Sequence, residues 1–365
     1  MTATLQDQPA AGPGDEPGRP GSARGASLLW AGLPYVVAVL AAFVVAGVVV
    51  ALLGHSPAQA FEAVLTTSFR TPLGLRETLH KWVPLVLQAL AFAIPLAAGR
   101  FNIGGEGQLL LGATGAAAVG ILLSDLPAPV LLPLVLVAGI LAGGVWAALA
   151  AWLMVRFGVN EILSTVLLNF VSFALVDYIA GDVWADPGAG FAATVPIGAG
   201  AELPGLGRPP LHVGVFVALA VAICTAVVVR RSAAGYELRA VGANERAARV
   251  HGVRTARVAA GALVIGGLLA GLSGAIEVAG VQGKLIEGMQ GNFLLLGIII
   301  GLIARGNVLA VPFVAFGIAV LEVGASAMQR RAEVPAELVL IVEALILIFL
   351  LLSDVLAARL RRRLS

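Results

Sequence analysis

Charge is what this 365-residue chain most lacks. Only 12% of it is Asp, Glu, Lys or Arg, about half the ~25% of a soluble domain, and mean hydropathy is +0.97. That excludes an ordinary water-soluble enzyme and a disordered chain. Cys224 is the single cysteine, which excludes a disulfide scaffold. Histidine occurs four times, as His55, His80, His212 and His251, with no metal-ligand spacing. Neither an HExxH run nor a Ser/His/Asp set supports chemistry inside a membrane. A GxxxxGK[ST] phosphate loop is also missing, so any ATP hydrolysis must come from another chain. The pI near 9.0 rests on 23 basic against 21 acidic residues, a small local excess that argues against a nucleic-acid partner.

What the chain does have is long apolar runs. They fall at approximately 28–53, 82–98, 109–123, 129–155, 162–180, 212–229, 258–280, 293–304, 308–327 and 338–352. None alternates every second residue, which excludes an outer-membrane barrel. The fold expected is all-α, a polytopic transmembrane bundle of about ten helices. The run at 293–304 is the shortest, and Gly297 and Gly301 interrupt it, as in the discontinuous helices of transporters. Leu109-Leu110-Leu111-Gly112 recurs as Leu294-Leu295-Leu296-Gly297 on helices of opposite direction, which is what an inverted repeat would give. The polar stretch Gly54–Lys81 has apolar residues at Ala60, Phe61, Val64 and Leu65. It reads as an amphipathic helix at the membrane surface.

Residues 1–27 read as a disordered tail, 28–355 as the transmembrane domain with a basic loop at about 230–257, and 356–365 as a basic tail. The distribution of basic residues sets the orientation. With the N-terminus inside, Arg70, Arg76, Lys81, Arg208, Lys284, Arg330 and Arg331 fall outside. The other sixteen of the 23 fall inside, so both termini are expected in the cytoplasm. A long outer loop rich in Gly and Pro runs from Gly181 to Leu211.

Three segments carry functional candidates. In the first, Arg100-Phe101-Asn102-Ile103-Gly104-Gly105-Glu106-Gly107-Gln108, glycines free the backbone to approach a ligand. Asn102 and Gln108 offer donors and acceptors, and Glu106 is costly within a membrane unless it pairs or meets water. The same residues also suit a tight cytoplasmic turn in which Glu106 is solvated or pairs with Arg100. In the second, Asn160 caps a helix and Glu161 suits its first turn. Thr165, Asn169 and Ser172 then share one face, either lining a watery path or joining helices. In the third, Gly235–Val253, Asn244 reads as an N-cap, Glu245 as the first helical residue and Gly252 as the left-handed stop. The helix between is too short to stand alone, so it should be docked. Ala247 and Ala248 allow close approach, Arg246 and Arg249 bring charge, and Gly242 breaks the chain before it. Glu277 and Glu322 are expected to be exposed near the outer surface; Glu343 lies within the last helix.

Together these segments resemble the permease subunits of bacterial ABC importers. The branch is that of simple-sugar, nucleoside and, more distantly, branched-chain amino-acid permeases, closest to the nucleoside and simple-sugar subgroup. Phe101–Gln108 is similar to the FNIGxEGQ signature, and Asn160–Asn169 to NExxxTxxLN. Gly235–Val253 is similar to the cytoplasmic coupling segment, G…RAxGxNxxAARxxGI, with Val253 for Ile. Gly291–Gly306 resembles the short glycine-rich helix, but begins Gly-Asn-Phe-Leu-Leu-Leu-Gly where the family pattern is GxGFxGIAVALLG, so the ligand stays open.

The resemblance implies import by alternating access in the bacterial cell membrane, by a permease that is not itself an enzyme. Implied partners are a cytoplasmic ABC ATPase using ATP and Mg, a second permease subunit forming a homo- or heterodimer, and an extracytoplasmic binding protein or lipoprotein. Phe101, Asn102, Glu106, Gln108, Asn169, Asn292 and Phe293 are then expected along the path, amides bonding sugar hydroxyls or base edges and rings stacking on a base. Gly242, Asn244, Glu245, Arg246, Ala247, Ala248, Arg249 and Gly252 are expected to engage the ATPase. The rival reading is an ion- or proton-coupled carrier that depends on Glu106 or Glu343; a structural or export subunit is weaker.

Overall fold

A computed structural model describes Val37, residues 40–332, and Ile341, Ala344, Leu345, Ile348, Phe349 and Leu352. The tails expected at 1–27 and 356–365, most of the last apolar run, and Glu343 lie outside the described residues. The architecture is helical. Six described helices are long and apolar enough to cross a membrane, and Leu40–Leu52 (α1) and Phe293–Ile303 are shorter apolar ones. Nine of the ten apolar runs read from the sequence meet a described helix.

Helix α2 spans Pro57–Arg70 and α3 spans Pro72–Ala97. The stretch expected to form one surface helix over 54–81 is therefore divided. Pro72 opens α3, and the Thr71 hydroxyl accepts a hydrogen bond from the Gly74 amide at 3.0 Å, which fixes a start ten residues before the apolar run. The inner face of α2, Ala60 and Val64, packs on Val320 and Ala325, and the Ser68 hydroxyl bonds the Val320 carbonyl at 3.0 Å. Protein, rather than lipid headgroups, covers that face.

Next come α4 (Gly105–Leu122), α5 (Ala128–Phe157) and α6 (Glu161–Tyr178), with one π-helical turn after α6. Gly158, at φ +67°, stops α5, and the Asn160 carboxamide caps α6 through the amides of Ile162 and Leu163. The remaining helices are α7 (Gly214–Arg231), α8 (Ala233–Ala243), α9 (Glu245–Val250), α10 (Thr255–Glu277), α11 (Phe293–Ile303) and α12 (Val311–Ala332). Between α6 and α7 lies a folded segment with a short hairpin, β1 (Gly205–Leu206) and β2 (Leu211–His212). It is pinned to the turn after α10 by Leu203 N–H to the Ala279 carbonyl, 2.7 Å, and Ile197 N–H to the Gly283 carbonyl, 2.9 Å. An Asp186–Lys284 ion pair at 3.3 Å adds to this.

The core is α3 and α10, each flanked by partners. Helices α4 and α5 pack on α10, and α11 and α12 on α3. Contacts are close because glycines meet backbone. A β-carbon on Gly112 would lie 2.4 Å from Gly271 Cα, and one on Gly271 would lie 2.3 Å from the Gly139 carbonyl oxygen. Small residues of this kind drive helix association where lipid removes the hydrophobic term. Of the two glycines in the Leu-Leu-Leu-Gly echo, Gly112 meets Gly271 of α10 and Gly297 meets Gln88 of α3.

Two expectations for acidic residues are corrected. Glu277 is 4% exposed: α3 packs on α10, and the α6–α7 segment is bonded to the turn that follows Glu277. Glu322 is partly buried and pairs with Lys81 at 3.4 Å.

Candidate translocation segments and coupling face

The connector between α3 and α4 does not stay at the helix end. It folds back along α3. Asn102 Nδ2 donates to the Ala91 carbonyl at 3.2 Å, and Gln88 Nε2 donates to the Gly105 carbonyl at 3.2 Å. Ala91 and Gln88 lie six and nine residues before Ala97, or ~9 and ~14 Å at ~1.5 Å per residue. Helix α4 thus begins deep in the bundle, as a discontinuous helix does.

A clamp of three amides holds that start. Asn102 and Gln108 exchange two side-chain hydrogen bonds, 2.9 and 2.8 Å, and Asn102 Oδ1 accepts from the Gly104 amide at 3.2 Å. From α6, Asn169 Oδ1 accepts from the Gly107 amide at 2.9 Å, while its Nδ2 donates to the Ile103 carbonyl at 2.8 Å. All three amides are buried. The glycines are required by space. A β-carbon on Gly104 would sit 2.9 Å from Gln108 Nε2, and one on Gly107 would sit 2.6 Å from the Ser172 hydroxyl. Of the polar face of α6, only Asn169 joins helices through side-chain bonds here, satisfying the otherwise orphaned amide at the α4 N-terminus; the Thr165 and Ser172 hydroxyls donate back to the Glu161 and Leu168 carbonyls of their own helix.

The other path candidates lie around this clamp. Phe101 is 39% exposed, its ring 6.1 Å from Phe92. Glu106 is half-buried and does not face Arg100, which bonds elsewhere. Asn292 is exposed at the start of α11, and Phe293 is buried with the Lys81 ammonium 5.2 Å from its ring centre. The two sets border each other where Leu294 meets Gly105. Gln88 went unremarked in the sequence, although it is the only amide in the run at 82–98. It touches both Gly105 and Gly297, and its Oε1 has no hydrogen-bond partner among the described residues.

At the other end of the connector stands α9. Asn244 Oδ1 accepts from the Ala247 amide at 3.0 Å, Glu245 is the first helical residue, and Gly252 takes φ +86°. Gly242 is not a break. Helix α8 continues through it to Ala243, and the missing side chain serves contact instead. A β-carbon there would lie 2.1 Å from the Ala97 carbonyl oxygen. The short helix is docked through charge. Glu245 Oε2 accepts from Arg100 Nη2 at 3.0 Å, and its Oε1 accepts from Arg249 Nη2 at 2.9 Å and Thr255 Oγ1 at 3.2 Å. Arg100 Nη1 lies 3.9 Å from Glu161 Oε2. Ala248 is buried, Ala247 and Arg246 are exposed, and Val250 is 85% exposed. Arg230 bonds Asn307, and Arg239 bonds the Val229 carbonyl.

At the opposite end, the Gly188 amide and then the Lys284 ammonium hold the Asp186 carboxyl below its usual range. Burial, with His80 beside it, lowers the His212 imidazole to about 4. The two rings lie 4.2 Å apart.

Long apolar spans, a helix that starts within the bundle, and a short charged helix bound to its connector define a multi-pass membrane transport protein. The family described as the permease component of branched-chain amino acid transport systems matches residues 74–351, and the chain belongs to it. It is similar to a glucose ABC transporter permease of Haloferax volcanii, 39% identical over 331 residues that cover 87% of each chain. A guanosine ABC transporter permease of Bacillus subtilis is 31% identical, over 86% of this chain and 91% of its own. A nucleoside ABC transporter permease of Lactococcus lactis is 24% identical, over 86% and 89%. The protein is thus a transmembrane permease component rather than a catalytic subunit, of a class that works with ATPase and binding-protein partners.

Proposed function

We propose that the chain is the permease of an ATP-driven importer that carries a simple sugar or a nucleoside into the cytoplasm. The observation that carries the proposal is near-full-length similarity to glucose, guanosine and nucleoside permeases. The anchored α9 supports it. Arg246, Arg249 and the exposed Val250 face outward for an ATPase cleft, while Asn244, Ala247, Ala248 and Gly252 shape the helix that enters it, and Gly242 and Glu245 join it to the membrane domain. ATP and Mg belong to that partner. The outer segment 181–211 receives the binding protein, and both termini lie in the cytoplasm. A second permease, a copy or a paralogue, completes the path.

Within that path, Phe101, Glu106 and Asn292 meet the solute first, and the buried Phe293 ring lies behind Asn292 at the start of α11. Asn102, Gln108 and Asn169 are closed on one another and bond it only when the clamp opens, exchanging amide partners for sugar hydroxyls. The first test is a tagged pull-down from native membranes in mild detergent, followed by uptake of labelled glucose and labelled guanosine into cells. An ABC ATPase in the eluate, and uptake lost on ATP depletion but insensitive to an uncoupler, is expected. Uptake that follows the proton gradient, with no ATPase bound, would move the assignment to a secondary carrier and put Glu106 first for substitution.

A further inference from the structure

We propose that Arg100 is the residue through which α9 moves the amide clamp. The inference rests on the reading of α9 as the ATPase-coupling helix. Covalently, α9 is joined only to α8 and α10, and neither carries a clamp residue. The Arg100 guanidinium supplies the shorter route. It holds Glu245 of α9 at 3.0 Å and lies 3.9 Å from Glu161 at the start of α6, the helix that presents Asn169. Two residues further along the connector stands Asn102, with its reciprocal bonds to Gln108. The connector is touched again where Gly242 of α8 abuts Ala97 and Gly99. A displacement of Glu245 therefore pulls the clamp at both the connector and the α6 end. The planar fork of arginine aims Nη2 at Glu245 and Nη1 toward Glu161 in fixed directions, whereas a lysine ammonium is a single rotatable point charge on a flexible stem. Within α9 Glu245 is itself braced by Arg249, and the Thr255 hydroxyl at the start of α10 also donates to it, so Glu245 moves with α9 and the α10 start that follows it. Arg100 thus positions the clamp and does not bind solute.

The test uses the whole complex in native membranes and needs no solute. In a Cys224→Ser background, Phe101→Cys is labelled with a thiol reagent, with and without vanadate-trapped ATP. Trapping should change the labelling rate by about tenfold, the factor that about 1.4 kcal/mol represents. Arg100→Gln should abolish that change while the ATPase still co-purifies. The double variant Arg100→Gln, Glu245→Gln should be no worse than either single one, as expected when both remove one interaction. Should Arg100→Gln fail to assemble, Arg100→Lys carries the test and must still reduce the response. A full response in an assembled Arg100 variant overturns the relay alone, as does an ATPase-bound parent that shows no response, or losses that simply add. Absence of any ATPase from the parent complex overturns the coupling reading itself.

Discussion

Asn169→Ala removes two hydrogen bonds at once, and their surroundings set the size of the effect. The Gly107 amide, 2.9 Å from Oδ1, and the Ile103 carbonyl, 2.8 Å from Nδ2, both lose their partner. A polar contact between membrane helices averages ~0.6 kcal/mol, so glue alone would cost ~1 kcal/mol for the pair. Here, however, the partners are backbone groups at the start of a helix, and the Gly107 amide is buried among Ser172 and Asn169. A stranded backbone group costs ~1–3 kcal/mol, giving roughly 2–6 kcal/mol for the two. If the connector opens locally, hydrogen exchange of residues 98–108 should accelerate by roughly 30-fold to about 10,000-fold. Mass spectrometry of the detergent-solubilised protein reads this directly. Ser164→Ala is the control, because the Ser164 hydroxyl bonds only the Glu161 carbonyl of its own helix, and it should leave the connector unchanged. Acceleration below about threefold in Asn169→Ala would refute the claim that this amide secures the start of α4.

Three further outcomes are expected. Gly242→Val places carbon where a β-carbon already lies 2.1 Å from the Ala97 carbonyl oxygen. It should abolish permease-dependent ATP hydrolysis while membrane insertion persists, and normal transport would sink the role given to that contact. Asn244→Ala loses the cap on the Ala247 amide, worth ~1 kcal/mol, so exchange of 244–252 should rise by about fivefold. The His212 imidazole, lowered to about 4 from 6.5, is neutral in the folded protein where the unfolded chain would already be protonated. Stability is therefore complete above pH 6.5 and falls as the pH drops toward 4. His212→Gln should flatten a melting-temperature profile across that window, and an unchanged slope would show that the histidine is not its source.

Much of this molecule was legible in its residues. Low charge and long apolar runs require backbone groups to be satisfied within helices in lipid, so an all-α bundle follows from composition alone. Local chemistry also speaks for itself. Asn160 and Asn244 cap the helices they precede, and Gly252 adopts the left-handed conformation expected of it, because capping involves only neighbours in sequence. The coupling segment and FNIGGEGQ carried the family resemblance for the same reason, being continuous stretches.

What the sequence could not determine were partners distant along the chain. From residue types alone Glu106 could face a ligand, stay solvated or pair with Arg100, six residues away; Arg100 instead holds Glu245, 145 residues on. Glu277 was expected in the open, but it is buried where α10 meets α3 and the α6–α7 segment is bonded to the turn that follows. The break assigned to Gly242 is instead a contact with Ala97. Residue types announced that the amides of 102, 108 and 169 would need satisfying. Only the return of the connector along α3 decided that they would satisfy one another, because side-chain hydrogen bonds form over about 3 Å and that proximity is created by packing, not by order in the chain.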